Sequence, residues 1–182
     1  MRISPTIEQV QDAFEQVAGS PVFAESAVLV RQGRMPAEMI QAMSLRPEFL
    51  AAFSQLSGSL YPGGIIEREI KELIILESSR QHACQFCTGS HVDIVRQLGM
   101  SDAPLELLDD PGMQTDRQRH ALAYARAVMD DANRIPGTIF ESLHKHFSGP
   151  EIVELTLMVG FISMLNLFNN SLGVRYHGEY MD

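Results

Sequence analysis

Apolar residues recur at spacings of three and four in segment after segment of the chain, and the punctuation between them suits helices. Ile7, Val10, Phe14 and Val17 repeat in this way after Ser4-Pro5, and Gly19-Ser20-Pro21 closes the segment. A short helix is predicted over Ala37–Ser44. Pro47 suits the first turn of another that carries Phe49, Leu50, Phe53 and Leu56. The turn Tyr61-Pro62-Gly63-Gly64 then separates it from a strongly apolar helix over Ile65–Gln81. After Cys84 a further helix places Val92, Val95 and Leu98 on one side and stops at Gly99. Helices follow at Asp116–Met129, at Thr138–Phe147 and from Ser148, where Ser148-Gly149-Pro150-Glu151 has the form of a capping box. Asp109-Asp110-Pro111-Gly112 reads as a loop. No strand alternation stands out, so the expected fold class is all-α.

The 182 residues suit one domain, 1–182, with no linker dividing it. Apolar residues make up 45% and charged residues 20%, which is globular composition. The formal charge of −9 repels polyanions, so neither nucleic acid nor an anionic membrane is an expected partner. The apolar stretch Leu155–Leu165 falls short of a bilayer span and reads as a buried helix. The start, MRISPTIEQV, lacks the apolar run of a secretory signal, and a cytoplasmic protein is expected. A weak repeat with an offset of 82 sets Glu72, Cys84 and Cys87 against Glu154, Asn166 and Asn169. It suggests two related helix-turn-helix units, only the first with thiols.

Chemistry concentrates at the two cysteines, Cys84 and Cys87, followed by His91. On a helix beginning near Cys84, Cys87 lies in the first turn and His91 one turn above it on the same face. The helix dipole favours a thiolate there, and the imidazole can accept the proton. An upstream acid could complete a relay. Glu72 sits among Ile70, Leu73, Ile74 and Ile75, where burial would raise its pKa toward the range useful for proton transfer; Glu77 is nearer in sequence and stays a competitor. A zinc set of Cys84, Cys87 and His91 with Glu72 or His82 lacks the second paired half of a structural zinc module, so no metal is expected. His144 and His146, two apart on a helix, point in different directions and read as solvated. His82 reads as exposed, and His120 and His177 show only ordinary use.

The string Arg68-Glu69-Ile70-Lys71-Glu72-Leu73-Ile74-Ile75-Leu76, followed by Cys84-x-x-Cys87-x-x-x-His91, resembles the alkylhydroperoxidase D-like branch of the carboxymuconolactone decarboxylase superfamily. The resemblance is strongest over 47–129, with 1–46 and 130–182 as helical flanks, and Leu165-Asn166 through Gly173 is similar to the family's C-terminal helix. It implies an all-helical alkylhydroperoxidase D-like fold, a trimer or hexamer, and a dithiol peroxidase that takes a hydroperoxide and an external dithiol or thiol reductant. Cys87 would be the peroxidatic cysteine, Cys84 the resolving one, His91 the proton acceptor and Glu72 the acid that orients or recharges it. No bound cofactor is required, because sulfur carries the electrons. Alkylhydroperoxidase D has a His directly before its second cysteine where this chain has Phe86. Decarboxylase members lack the cysteine pair. A thiol-disulfide reductase or a redox-sensing protein is the alternative activity. Leu155, Met158, Val159, Phe161, Ile162, Met164, Leu165 and Phe168 are spread around more of the last helix than one core-facing stripe requires, and some of that surface is expected to meet a neighbouring subunit.

Overall fold

The structure is a computed structural model and describes residues 1–17 and 19–179, so the flank expected over 130–182 is followed only to Glu179. The described residues form ten α-helices and no strand. They are α1 (Ile7–Glu15), α2 (Ala24–Arg31), α3 (Glu38–Ser44), α4 (Pro47–Leu60), α5 (Arg68–Gln81), α6 (Gln85–Gln97), α7 (Pro104–Asp109), α8 (Asp116–Asp131), α9 (Gly137–His146) and α10 (Gly149–Leu172). Thr6, Thr115 and Ser148 cap α1, α8 and α10 with reciprocal boxes closed by Gln9, Gln118 and Glu151, so three helix starts are fixed by side chains adjacent in sequence.

The all-α expectation holds, with local differences. Neither α2 nor α7 is foreseen; both are short, and α7 begins at Pro104, a residue whose missing N–H costs nothing at a first turn. The expected loop at 109–112 tightens into a single 3₁₀ turn, Pro111–Met113, capped by Asp110. α5 begins three residues later than its hydrophobic pattern predicts. The backbone N–H groups of Ile65 and Ile66 donate to the Glu154 carboxylate on α10 at 2.7 and 3.0 Å, which holds them out of the helix.

α5 is the axis of the molecule. It packs against α6, α8 and α10, and every residue from Ile70 to Ser79 is buried. A helix enclosed on all sides cannot show a single apolar stripe. Ile70, Ile74 and Ile75 join one core that runs from Val10 to Val174, while Leu73 and Leu76 join a smaller cluster with Val95, Leu107, Leu108 and Leu122. Each such side chain contributes roughly 1.5–3 kcal/mol by leaving water. Charged groups enclosed on the same helix must find partners. Lys71 donates to the carbonyls of Leu60 (2.9 Å) and Gly63 and pairs with Glu154 at 2.6 Å. This pair fastens the loop 61–66 between α5 and α10. Gly64, at φ 90°, must lack a side chain because a Cβ there would meet Glu154 and Lys71.

The repeat does not appear as two helix-turn-helix units. Its first copy is α5–turn–α6, but its second lies wholly within α10, an unbroken helix of 24 residues. α10 is also longer than the apolar stretch 155–165 suggests. By length and composition it could cross a membrane, yet half of its most apolar window is buried in the bundle, as befits a core helix. Of the eight residues spread around this helix, Leu155, Met158, Val159, Phe161, Ile162 and Leu165 are in the core. The apolar residues that α10 turns outward are Val153, Leu157, Met164 and Leu167.

Candidate active site

The turn between α5 and α6 carries the cysteines. α5 ends at His82 with Ala83 in the left-handed region, φ 51°. The N–H of Ala83 bonds Arg80 and that of Cys84 bonds Ser79, the two bonds of a Schellman ending. Ala in place of the usual Gly is why this ending does not show in the sequence. Cys84 then serves at once as the N-cap of α6, its Sγ accepting the N–H of Cys87 at 3.3 Å. The backbone brings the two Cα atoms to 5.4 Å, and the sulfurs are joined as a disulfide. Both cysteines are almost wholly buried.

His91 lies one turn beyond Cys87 on α6, and its Nδ1 meets Glu72 Oε2 at 2.6 Å. The other carboxylate oxygen accepts the Tyr61 hydroxyl at 2.6 Å and Arg68 Nε at 3.3 Å. A carboxylate only accepts, so Nδ1 carries the proton and Nε2 is left to accept one. Tyr61 also sets its ring edge-on to His91 at 5.6 Å. The imidazole is therefore held by a charge on one side and a ring on another.

The expectation that burial raises the Glu72 pKa is overturned. Burial does push this fully enclosed carboxyl up, but the hydrogen bond from His91, joined by its charge whenever Nε2 is also protonated, the Tyr61 hydroxyl and the Arg68 guanidinium together outweigh it and hold the group below its usual range. Glu72 is an ionised anchor for His91. Burial, with the Glu72 charge and hydrogen bond added, pushes the Tyr61 hydroxyl well above its ordinary value, so it stays a donor. Glu77 is not in the site. It pairs with Arg80 at 2.7 Å and Arg126 at 2.8 Å and accepts Gln81, and these outweigh its burial to keep it ionised as a brace toward α7 and α8.

The remaining candidates resolve as structure. His82 is half-buried rather than exposed and turns its Nδ1 to the Ser78 carbonyl at 2.9 Å, at the α5 terminus. His146 stacks on His120 at 4.4 Å, and His177 meets Glu38 at 3.0 Å. Phe86 is buried against the edge of Tyr176 at 6.1 Å, which makes the surroundings of the cysteines apolar.

Sequence reading missed three partners. Tyr61 and Arg68 reach Glu72 from the loop and from one turn earlier on α5; the Arg68/Glu72 spacing of four was the available signal. Asn169 of α10, fully buried, points Nδ2 at Cys87 Sγ from 3.2 Å. The offset of 82 had paired these two positions, and the fold sets them face to face. Asn166, its companion, bonds Ser78 and Ser79. Cys87, Ser90, His91, Tyr61 and Arg68 all open on one cavity of about 1130 Å³, whose far wall is made by residues 21–41.

Residues 47–127 match the model of the carboxymuconolactone decarboxylase family. The fold is shared with a protein of unknown function from Agrobacterium tumefaciens that carries the AhpD name, at 28% identity over 75% of this chain and 95% of that one, with a TM-score of 0.67. It is shared as well with an uncharacterized peroxidase-related protein from Ralstonia eutropha, described as an alkylhydroperoxidase AhpD core, at 20% identity, 98% and 93% coverage and a TM-score of 0.77. A third similar structure is a variant of the debrominase Bmp8 in complex with 2,3,4-tribromopyrrole, at 20% identity, 87% coverage of each chain and a TM-score of 0.68. The family match over 47–127 and the helical fold shared with these structures support the alkylhydroperoxidase D-like branch of the carboxymuconolactone decarboxylase superfamily.

Proposed function

We propose that the chain is a dithiol peroxidase that reduces organic hydroperoxides. The observation that carries this reading is the Tyr61/Arg68–Glu72–His91 chain, which opens on the same cavity as Cys87. In the reduced protein the Cys87 thiolate attacks the distal oxygen of the hydroperoxide. His91 Nε2 has first taken the proton of the Cys87 thiol; an S–O bond then forms, the O–O bond breaks, and the departing alkoxide takes that proton back from His91. Cys84, three residues away across the first turn of α6, then displaces water from the sulfenic acid to close the disulfide. Two electrons from an external dithiol reopen it by exchange. Glu72 stays ionised throughout and stabilises the imidazolium.

The size and lining of the cavity support an organic substrate. A volume of about 1130 Å³ exceeds the roughly 300–1,000 Å³ of typical ligand pockets, and Phe53, Ile75, Phe161, Ile162 and Leu165 line it. Hydrogen peroxide would leave nearly all of it empty. The cycle draws on a thiol pool, which suits a cytoplasmic setting. The outward apolar residues of α10 suit assembly with further copies of the chain.

The test is steady-state consumption of cumene hydroperoxide with a small dithiol. Turnover is expected in the wild type, none in Cys87→Ser, and a loss of about 10²-fold or more in His91→Ala, in line with what a positioned general acid–base contributes. Oxidation of one equivalent per chain with no turnover would favour a redox sensor. Reduction of a brominated pyrrole but of no peroxide would move the reading toward the chemistry of Bmp8.

A further inference from the structure

Asn169 is enclosed by protein, yet its Oδ1 is buried with no hydrogen-bond partner. Its Nδ2 faces two sulfurs, Cys87 Sγ at 3.2 Å and Met39 Sδ at 3.5 Å. Turning the amide over would set its oxygen against both sulfurs and gain nothing for the nitrogen, so the network fixes the orientation. A buried amide is costly to leave half-satisfied, and weak sulfur acceptors are a poor return for it. The side chain makes sense once Cys87 is a thiolate and a hydroxyl lies beside it.

We infer that Asn169 is a catalytic residue: Nδ2 stabilises the Cys87 thiolate, and Oδ1 accepts the hydrogen of the hydroxyl transferred to Cys87. The inference rests on the peroxidase reading for its second half only. Cys84 and Cys87 compete for the role of attacking sulfur. Cys84, at the N-cap, receives the Cys87 N–H and the helix dipole. Cys87 receives a side-chain donor from α10 that Cys84 does not have. In the reaction ROOH + Cys87–S⁻ → Cys87–SOH + RO⁻, the hydroxyl keeps its hydrogen while its oxygen moves onto sulfur. The nitrogen and oxygen of an amide are only about 2.3 Å apart by their bond lengths, so a group bonded to the sulfur that Nδ2 touches comes within reach of Oδ1.

The Cys87 thiolate is titrated by its ultraviolet absorbance in a Cys84→Ser background, with Asn169→Leu, Asn169→Asp and Asn166→Leu added singly. Asn169→Leu is expected to raise the midpoint by about one unit, a tenfold loss of thiolate on the acid side. Asn169→Asp should raise it further by like-charge repulsion. Asn166→Leu, on the same helix and equally buried but touching only serines, should leave it in place. If Asn169→Leu does not fold, as judged by circular dichroism, Asn169→Ala takes its place. An unmoved midpoint in the Asn169 variant, or an equal move in Asn166→Leu, overturns the donor role. At a pH where every variant is fully ionised, oxidation by cumene hydroperoxide should be about tenfold slower in Asn169→Leu, the worth of one hydrogen bond; equal rates overturn the acceptor role. If the unaltered protein turns over no peroxide, the peroxidase reading fails while the titration still decides the donor role.

Discussion

Replacing Glu154 by Gln should destabilise the protein far more than replacing its partner Lys71 by Met. Lys71 is enclosed, with 1% of its side chain exposed, and its ammonium relies on Glu154 and two carbonyls. Glu154 is nearer the surface at 12% and holds two backbone N–H groups besides the ammonium. Glu154→Gln leaves a buried charge without its counter-ion and takes an acceptor from Ile65 or Ile66, a change in the class that costs about 3–5 kcal/mol. Lys71→Met removes the charge and keeps most of the volume. Glu154 then still accepts two N–H groups; the partly exposed Gly63 carbonyl turns to water, and the cost is the one buried carbonyl of Leu60, about 1–2 kcal/mol. With a urea slope of roughly 2–3 kcal/mol/M, the midpoint should fall by about 1–2.5 M in Glu154→Gln and by less than about 1 M in Lys71→Met. Urea unfolding followed by circular dichroism measures both. Equal shifts, or a larger one for Lys71→Met, would refute the argument that the buried ammonium governs the pair.

Acid should weaken the fold through the same class of group. Glu72, Glu77 and Glu154 are all held below the usual 4.5, and Glu151, bonded by Ser148 and Arg117, is pushed down to about 2. Each contributes stability that is present above the unfolded value and is lost as pH falls through the folded one, so Tm should be flat near neutrality and decline below about pH 4.5; an unchanged Tm at pH 3.5 would contradict it. For assembly, Val153, Leu157, Gly160, Met164 and Leu167 follow one another at steps of four and three on the exposed side of α10, the seam spacing of paired helices. Leu157→Lys with Leu167→Glu should lower the sedimentation mass while leaving helix content intact; a monomeric unaltered protein, or an oligomer whose mass the two changes leave in place, would refute assembly through this side.

The sequence made the helices legible wherever capping residues and apolar spacing agreed, as at α4, α6, α8 and α10, and it was least informative where tertiary contacts override local preference. Glu72, Cys84, Cys87 and His91 stand out because a CxxC turn followed by His four residues on has few bland explanations. What the chain conceals is environment. That Glu72 ends up more acidic than usual depends on Tyr61, eleven residues before it in the chain, and on His91, nineteen after. No window along α5 contains both. Asn169 is hidden for the same reason: its partner is 82 positions away, and an Asn on an apolar helix looks like any other until the helix is seen to pass the cysteine turn.

α10 has two distinct sides. One side aims Asn169 at the cysteine turn, and the other presents Val153, Leu157, Met164 and Leu167 to whatever lies outside. Both sides belong to one unbroken helix of 24 residues. Opening the disulfide changes what Asn169 holds, at one side of the helix that carries the outward apolar residues on the other. Were copies of the chain to associate through that outer side, redox state and assembly would be joined by thermodynamic linkage: if oxidation alters the affinity between copies by some factor, association alters the ease of reduction by that same factor.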